Sequence, residues 1–107
     1  MTLVDKQAKF ANMVGKLLVF AGLRGYQITL GDAFRDPRAT FPYSHPKSLH
    51  GQRLAIDLNV FLDGDLLNEK EQYLPLAKYW EEMGGTWGGR FKKVDCPHFS
   101  LAHGGMK

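Results

Sequence analysis

The sequence has one cysteine, little net charge and no long apolar run. The single cysteine, Cys96, excludes an internal disulfide and a cysteine-rich zinc module. A net charge of +3 is too small and too dispersed to indicate a nucleic-acid surface, so we expect no nucleic-acid partner. The longest apolar run extends from Leu17 to Leu23. A bilayer span needs about 20 apolar residues, so we expect no membrane insertion.

What is present is typical of one globular domain. The chain has 107 residues, of which 44% are hydrophobic and 23% charged. No repeat or linker divides it, so we expect a single domain over residues 1–107 and a monomer. Asp5 near the start and Arg24 after the apolar run do not fit a signal peptide. We therefore expect synthesis in the cytoplasm without a leader.

Apolar spacing predicts an α+β fold with a small, mostly antiparallel sheet flanked by helices. Helical spacing covers residues 3–23, with Thr2 as a cap, and a second helix around Trp80. In that second helix we place Pro75 in the first turn and Gly84 at the end. Alternating patterns predict three strands, at residues 26–30, 54–61 and about 99–101. A proline-rich loop at residues 36–49 separates the first two strands.

Three residues with metal-binding side chains are predicted to meet on one face of the sheet. Asp57 lies on the polar side of the central strand, where an unpaired carboxylate is costly. His50 precedes it by seven residues, and His98 shares a strand face with Ser100. If these faces align, two imidazoles and one carboxylate leave one zinc position open. The spacing alone equally fits an Asp57 bonded to the backbone or Arg53, and a half-buried His98 without a metal.

Asp95, three residues before His98, is a candidate acid–base residue. Zinc acidifies water, and a nearby carboxylate can take the proton and pass it to a leaving amine. The positive charge that zinc retains beside one carboxylate ligand favours the ionised form of Asp95. This chemistry would hydrolyse an amide bond.

The sequence around these residues resembles zinc peptidases that cut peptidoglycan stem peptides. The likeness extends from about Thr29 to Leu101 and is to phage endolysins of the D-alanyl-D-alanine carboxypeptidase/L-alanyl-D-glutamate endopeptidase family, in the hedgehog fold group. Three blocks carry it, in the order the family has them: Ser48-Leu-His50-Gly-Gln-Arg-Leu-Ala55-Ile-Asp57-Leu, Trp87-Gly-Gly and Asp95-Cys-Pro-His98-Phe.

The resemblance implies roles for individual residues. It implies a hedgehog/D-Ala-D-Ala-peptidase-like fold with one zinc ion held by His50, Asp57 and His98. By the same likeness, Asp95 is the catalytic base, and Arg35 holds substrate or the developing oxyanion.

Three further residues are candidates near this site. Arg53 stands where many members of the family have glycine, and we expect it to narrow the site or contact an anionic substrate. Trp87 is a candidate to line the substrate cleft, with core packing as the alternative. Ser48 is a candidate to bond a metal ligand, with loop capping as the alternative.

The function implied is zinc-dependent hydrolysis of an amide in the peptidoglycan stem peptide, similar to an L-alanyl-D-glutamate endopeptidase. The enzyme would act at the cell wall or periplasm after release. Two alternatives stay within the fold group: a D-Ala-D-Ala carboxypeptidase or dipeptidase, and a non-catalytic zinc-binding module. A small nucleic-acid binder is a third alternative, and only Arg90-Phe-Lys-Lys93 favours it.

Overall fold

A computed structural model describes residues 1–33 and 49–107 of the chain. It confirms the α+β fold. Two strands of two residues each were not predicted, because alternation cannot be recognised over so short a segment. The elements in chain order are α1 (Leu3–Leu23), β1 (Gln27–Leu30), β2 (Ala55–Leu62), β3 (Asp65–Leu66), α2 (Lys70–Glu82), β4 (Thr86–Trp87), a 3₁₀ turn (Gly88–Arg90) and β5 (His98–Ser100).

The strands form one sheet whose register aligns the candidate ligands. Within the described residues, every pairing is antiparallel, in the order β1-β2-β5-β4, with β3 beside the end of β2. Asp57 on β2 lies directly opposite His98 on β5, and Ile56 lies opposite Phe99. Because side chains alternate along a strand, Asp57 and His98 share one face. Their neighbours Ile56 and Phe99 point to the other face, into the core.

Trp80 is the centre of the core between the helices and the sheet. Its fully buried ring makes edge-to-face contacts with Phe10 of α1 and Phe99 of β5, each at 5.7 Å between centroids. Its Nε1–H donates to the carbonyl oxygens of Thr86 and Ser100, both at 3.1 Å. One side chain of α2 therefore ties together α1, β4 and β5.

Helix α1 begins and ends where the sequence predicts. The Thr2 hydroxyl accepts a hydrogen bond from the backbone N–H of Asp5, and the Asp5 carboxylate accepts one from the N–H of Thr2. These bonds lower the pKa of Asp5. The amide of Gln7 donates to the carbonyl oxygen of Gln52 at 3.0 Å, so α1 also supports the turn that carries His50. No helix in the described parts of the chain has the length and apolarity of a membrane span.

Helix α2 begins earlier than predicted, which moves Pro75 out of the first turn. Gln72 Oε1 accepts hydrogen bonds from the backbone N–H groups of Asn68 (3.2 Å) and Glu69 (3.0 Å). This side-chain cap satisfies N–H groups at the start of the helix and fixes its first residue. The placement of Pro75 in the first turn is therefore wrong, since it lies in the second. The helix ends before Gly84, which has φ +96°, as predicted.

The Trp87-Gly-Gly segment packs against the stretch from Asp95 to His98. The buried indole of Trp87 donates through Nε1 to the carbonyl oxygen of Cys96 at 2.8 Å. The carbonyl oxygen of Gly88 accepts from the N–H of Asp95 at 2.9 Å. A Cβ atom on Gly88 would overlap the carbonyl oxygen of Asp95 and lie 2.7 Å from Cβ of His98. Only glycine permits this approach.

The close approach predicts that Gly88→Ala destabilises the protein. Because the added methyl meets backbone rather than a flexible side chain, we expect the free energy of unfolding to fall by about 1–3 kcal/mol. Urea unfolding measures this change. Gly15→Ala in α1 is the matched control, since its Cβ would meet nothing within 4 Å. Alanine there should stabilise the helix by about 0.5–1 kcal/mol. A Gly88→Ala protein as stable as the wild type would contradict the packing.

Candidate metal centre

The side chains of His50, Asp57 and His98 come together on one face of the sheet. Each offers one ligand atom, and these atoms lie within 4.8 Å of one another. Nε2 of His50 is 3.6 Å from Oδ1 of Asp57. The two imidazole rings are 5.5 Å apart between centroids and nearly perpendicular. The three side chains therefore lie close together, as the strand pattern predicts.

The chemistry and spacing of these groups fit a zinc ion. Two ligand atoms about 2.1 Å from a tetrahedral zinc lie about 3.4 Å apart, close to the His50–Asp57 distance. Both histidines are buried, with relative exposures of 5% for His50 and 7% for His98, whereas the Asp57 side chain is 30% exposed. The group is thus enclosed on the histidine sides and reaches solvent at the carboxylate.

The backbone carbonyl of Asp32 orients two members of this group. Nδ1 of His50 lies 3.0 Å from that oxygen. Since a carbonyl only accepts, Nδ1–H donates to it, and Nε2 is the ring nitrogen that faces Asp57. The same oxygen accepts the N–H of Asp57 at 3.0 Å. A Cβ on the adjacent Gly31 would lie 3.0 Å from Cβ of Asp57, so glycine fits this position with the least displacement. A backbone acceptor leaves no signal in a sequence, and this contact was not predicted.

A side chain holds the other histidine. Nε2 of His98 lies 2.9 Å from Oγ of Ser100, which is fully buried. The ring also packs against Phe91, at 5.2 Å between centroids. The strand alternation placed Ser100 on the face of His98 without assigning it a role. That shared face was the signal that could have identified it.

Asp95 lies at the start of the turn that leads into β5. Its N–H donates to Gly88, and its carbonyl oxygen accepts from the N–H of His98 at 3.1 Å. The residue is exposed and lines a hollow of about 330 Å³ that also includes Asn59, on the same strand as Asp57.

Cys96, the next residue, is a buried thiol beside this turn. Burial raises its pKa, and the charge of Asp95 raises it further. A thiol that resists deprotonation is a poor zinc ligand, since the thiolate is the form that binds metals. This agrees with a ligand set that does not include sulfur.

The structure bears differently on the remaining residues that the sequence suggested for the site. A substrate contact by Trp87 is wrong for this structure, because the ring is fully buried and bonds the backbone of Cys96 instead. Arg53 is exposed and has φ +57°, in the left-handed region that glycine adopts without strain. Its contact with substrate stays a prediction. Arg35 and Ser48 lie outside the described residues.

Comparisons with known proteins agree with this geometry. No curated protein sequence matches the chain. The structure is similar to the crystal structure of the L-Ala D-Glu endopeptidase ChiX of Serratia marcescens, with a TM-score of 0.61, 23% identity, and coverage of 86% of this chain and 79% of that one. This likeness confirms the predicted fold. The family described as D-alanyl-D-alanine carboxypeptidase matches residues 43–101, more than half of the chain and the stretch that holds all three clustered side chains. The chain therefore belongs to the D-alanyl-D-alanine carboxypeptidase family.

Proposed function

We propose that this protein is a zinc-dependent peptidase that hydrolyses an amide bond of the peptidoglycan stem peptide, as an L-alanyl-D-glutamate endopeptidase does. The observation that carries the proposal is the cluster of His50, Asp57 and His98 in a chain of a peptidase family. Two imidazoles and one carboxylate are a ligand set of hydrolytic zinc sites, which keep one coordination position open. The name of the structural relative, an L-Ala D-Glu endopeptidase, supports the choice of bond.

In this proposal three side chains hold the zinc. His50 binds through Nε2, because its Nδ1–H donates to the carbonyl oxygen of Asp32. Asp57 binds through its carboxylate, and His98 binds through Nδ1, because Nε2 is bonded to Ser100. When bound, zinc supplies a Lewis acid that polarises the scissile carbonyl and lowers the pKa of water to about 7.

Asp95 moves the proton. Its carboxylate takes the proton from the attacking water and delivers it to the nitrogen of the leaving amine. The hydrogen bonds of its backbone to Gly88 and His98 fix the turn relative to the ligands, while the side chain stays exposed. Arg35 stabilises the negative charge that develops on the carbonyl oxygen.

The substrate class agrees with the charge of the protein. Stem peptides carry several carboxylates, and the chain has a net charge of +3 with an exposed Arg53 beside the turn of His50. We propose that Arg53 contacts a substrate carboxylate. We also propose that the protein acts as a monomer at the cell wall or periplasm, in the manner of a phage endolysin.

Hydrolysis of a terminal D-Ala-D-Ala bond is the second candidate, because the matching family carries that description. The two activities release different products from the same wall material. Digestion of purified peptidoglycan, followed by mass spectrometry of the new termini, distinguishes them. New L-alanyl carboxyl ends paired with D-glutamyl amino ends support the endopeptidase, whereas release of D-alanine supports the carboxypeptidase.

Removal of the metal should abolish hydrolysis. We expect a strong chelator to stop the release of new amino termini and added zinc to restore it. His50→Ala should lose zinc, measured by metal analysis after dialysis, and should also unfold at lower temperature when zinc is present, because zinc binding stabilises the folded state. Full hydrolysis by zinc-depleted protein would contradict the proposal.

Substitution of the base should separate metal binding from catalysis. We expect Asp95→Asn to keep zinc and the fold but to lower kcat by about 10²- to 10⁴-fold, because the amide cannot accept the proton. Asp65→Asn, at an exposed position in β3, is the matched control and should retain activity. An active Asp95→Asn enzyme would remove this residue from the mechanism. A wild type that binds zinc but hydrolyses no peptidoglycan would favour the non-catalytic module.

A further inference from the structure

Ser100 is a buried hydroxyl in contact with a candidate zinc ligand. Its relative exposure is 0%, and Oγ lies 2.9 Å from Nε2 of His98. A buried hydroxyl or imidazole N–H without a partner costs free energy, so each group satisfies the other.

The sheet fixes where this hydroxyl lies. Ser100 is opposite Ala55 on β2 and opposite Thr86 on β4, so strands flank it on both sides. Its carbonyl oxygen also accepts the Nε1–H of Trp80 at 3.1 Å. The position of Oγ therefore depends on the rigid centre of the sheet, and Oγ can hold the imidazole of His98 in one orientation.

We propose that Ser100 is a positioning residue for the zinc centre. Its Oγ accepts the Nε2–H of His98 and so holds the neutral ring in the tautomer that has its lone pair on Nδ1. A neutral imidazole carries a single proton, and a hydrogen bond at one nitrogen decides which nitrogen binds the metal. This inference rests on the zinc site of the proposed function.

The two histidines differ in how this orientation is achieved. His50 donates to the main-chain carbonyl of Asp32, an acceptor that no side-chain substitution removes. His98 depends on the side chain of Ser100. The zinc affinity of this protein is therefore adjustable at residue 100 without a change in any ligand.

Ser100→Ala tests the role of the hydroxyl. We expect the Kd for zinc to rise by about 10- to 100-fold, measured by competition with a chromophoric chelator. Thr86→Val is the matched control, because it removes a hydroxyl from the neighbouring strand opposite Ser100, and it should leave the Kd unchanged. Ser100→Thr keeps the hydroxyl and should retain most of the affinity. Equal affinities of wild type and Ser100→Ala would overturn the inference.

A second measurement needs no substitution. Nitrogen NMR of the zinc-loaded wild type should find Nε2 of His98 protonated and Nδ1 bound to the metal. Coordination through Nε2 would overturn the role of Ser100 even if the protein is an active zinc peptidase. A wild type that binds no zinc would instead overturn the zinc site itself, and the two failures are therefore distinguishable.

Discussion

The pairing of β2 with β5 is the constraint on which the site depends. Asp57 and His98 are directly opposite in this antiparallel pair, and the pleat directs both to the same face. A shift of one residue in register would send one of them into the core, because the side-chain period of a strand is two. The same register places Ile56 against Phe99, so the packing of the core and the assembly of the site require the same alignment.

The apolar core keeps that alignment. Trp80 contacts Phe99 in the core and donates a hydrogen bond to the backbone of Ser100, so α2 fixes the position of β5. On the other side, the Trp87-Gly-Gly segment binds the backbone that precedes His98. Trp87 is thus a support for the turn of Asp95. Its full burial explains why an aromatic residue so close to the site is not available to substrate.

His50 is bonded to a backbone atom, whereas His98 is bonded to a side chain. The acceptor for His50 is a backbone carbonyl that also accepts the N–H of Asp57, so one atom links the turn, the segment that follows β1, and β2. The acceptor for His98 is the hydroxyl of a strand residue. Both contacts direct one ring nitrogen away from the cluster and the other toward it. Three atoms that could bind a metal ion lie within 4.8 Å of one another as a result.

Local sequence determined most of the elements. The apolar period of 3.6 defined α1 to the residue, and the alternation in β2 assigned Asp57 and the core residues to opposite faces, because both patterns reflect burial of a single face. The metal-binding residue types and their spacing were also visible in the chain. The position of Pro75 in α2 was predicted wrongly, since the Gln72 side-chain cap sets where the helix begins. The short strands β3 and β4 were missed, since pairing within the sheet defines them.

Tertiary structure alone decided how the candidate residues are oriented. The pairing of β2 with β5 and the approach of the Asp32 carbonyl to His50 join segments far apart in the chain. The burial of Trp87 depends on how its ring packs and on its bond to the backbone of Cys96. The sequence shows which side chains can bind a metal, because that property belongs to each residue type. Which atoms face one another depends on register and packing, and those arise only when the whole sheet has formed.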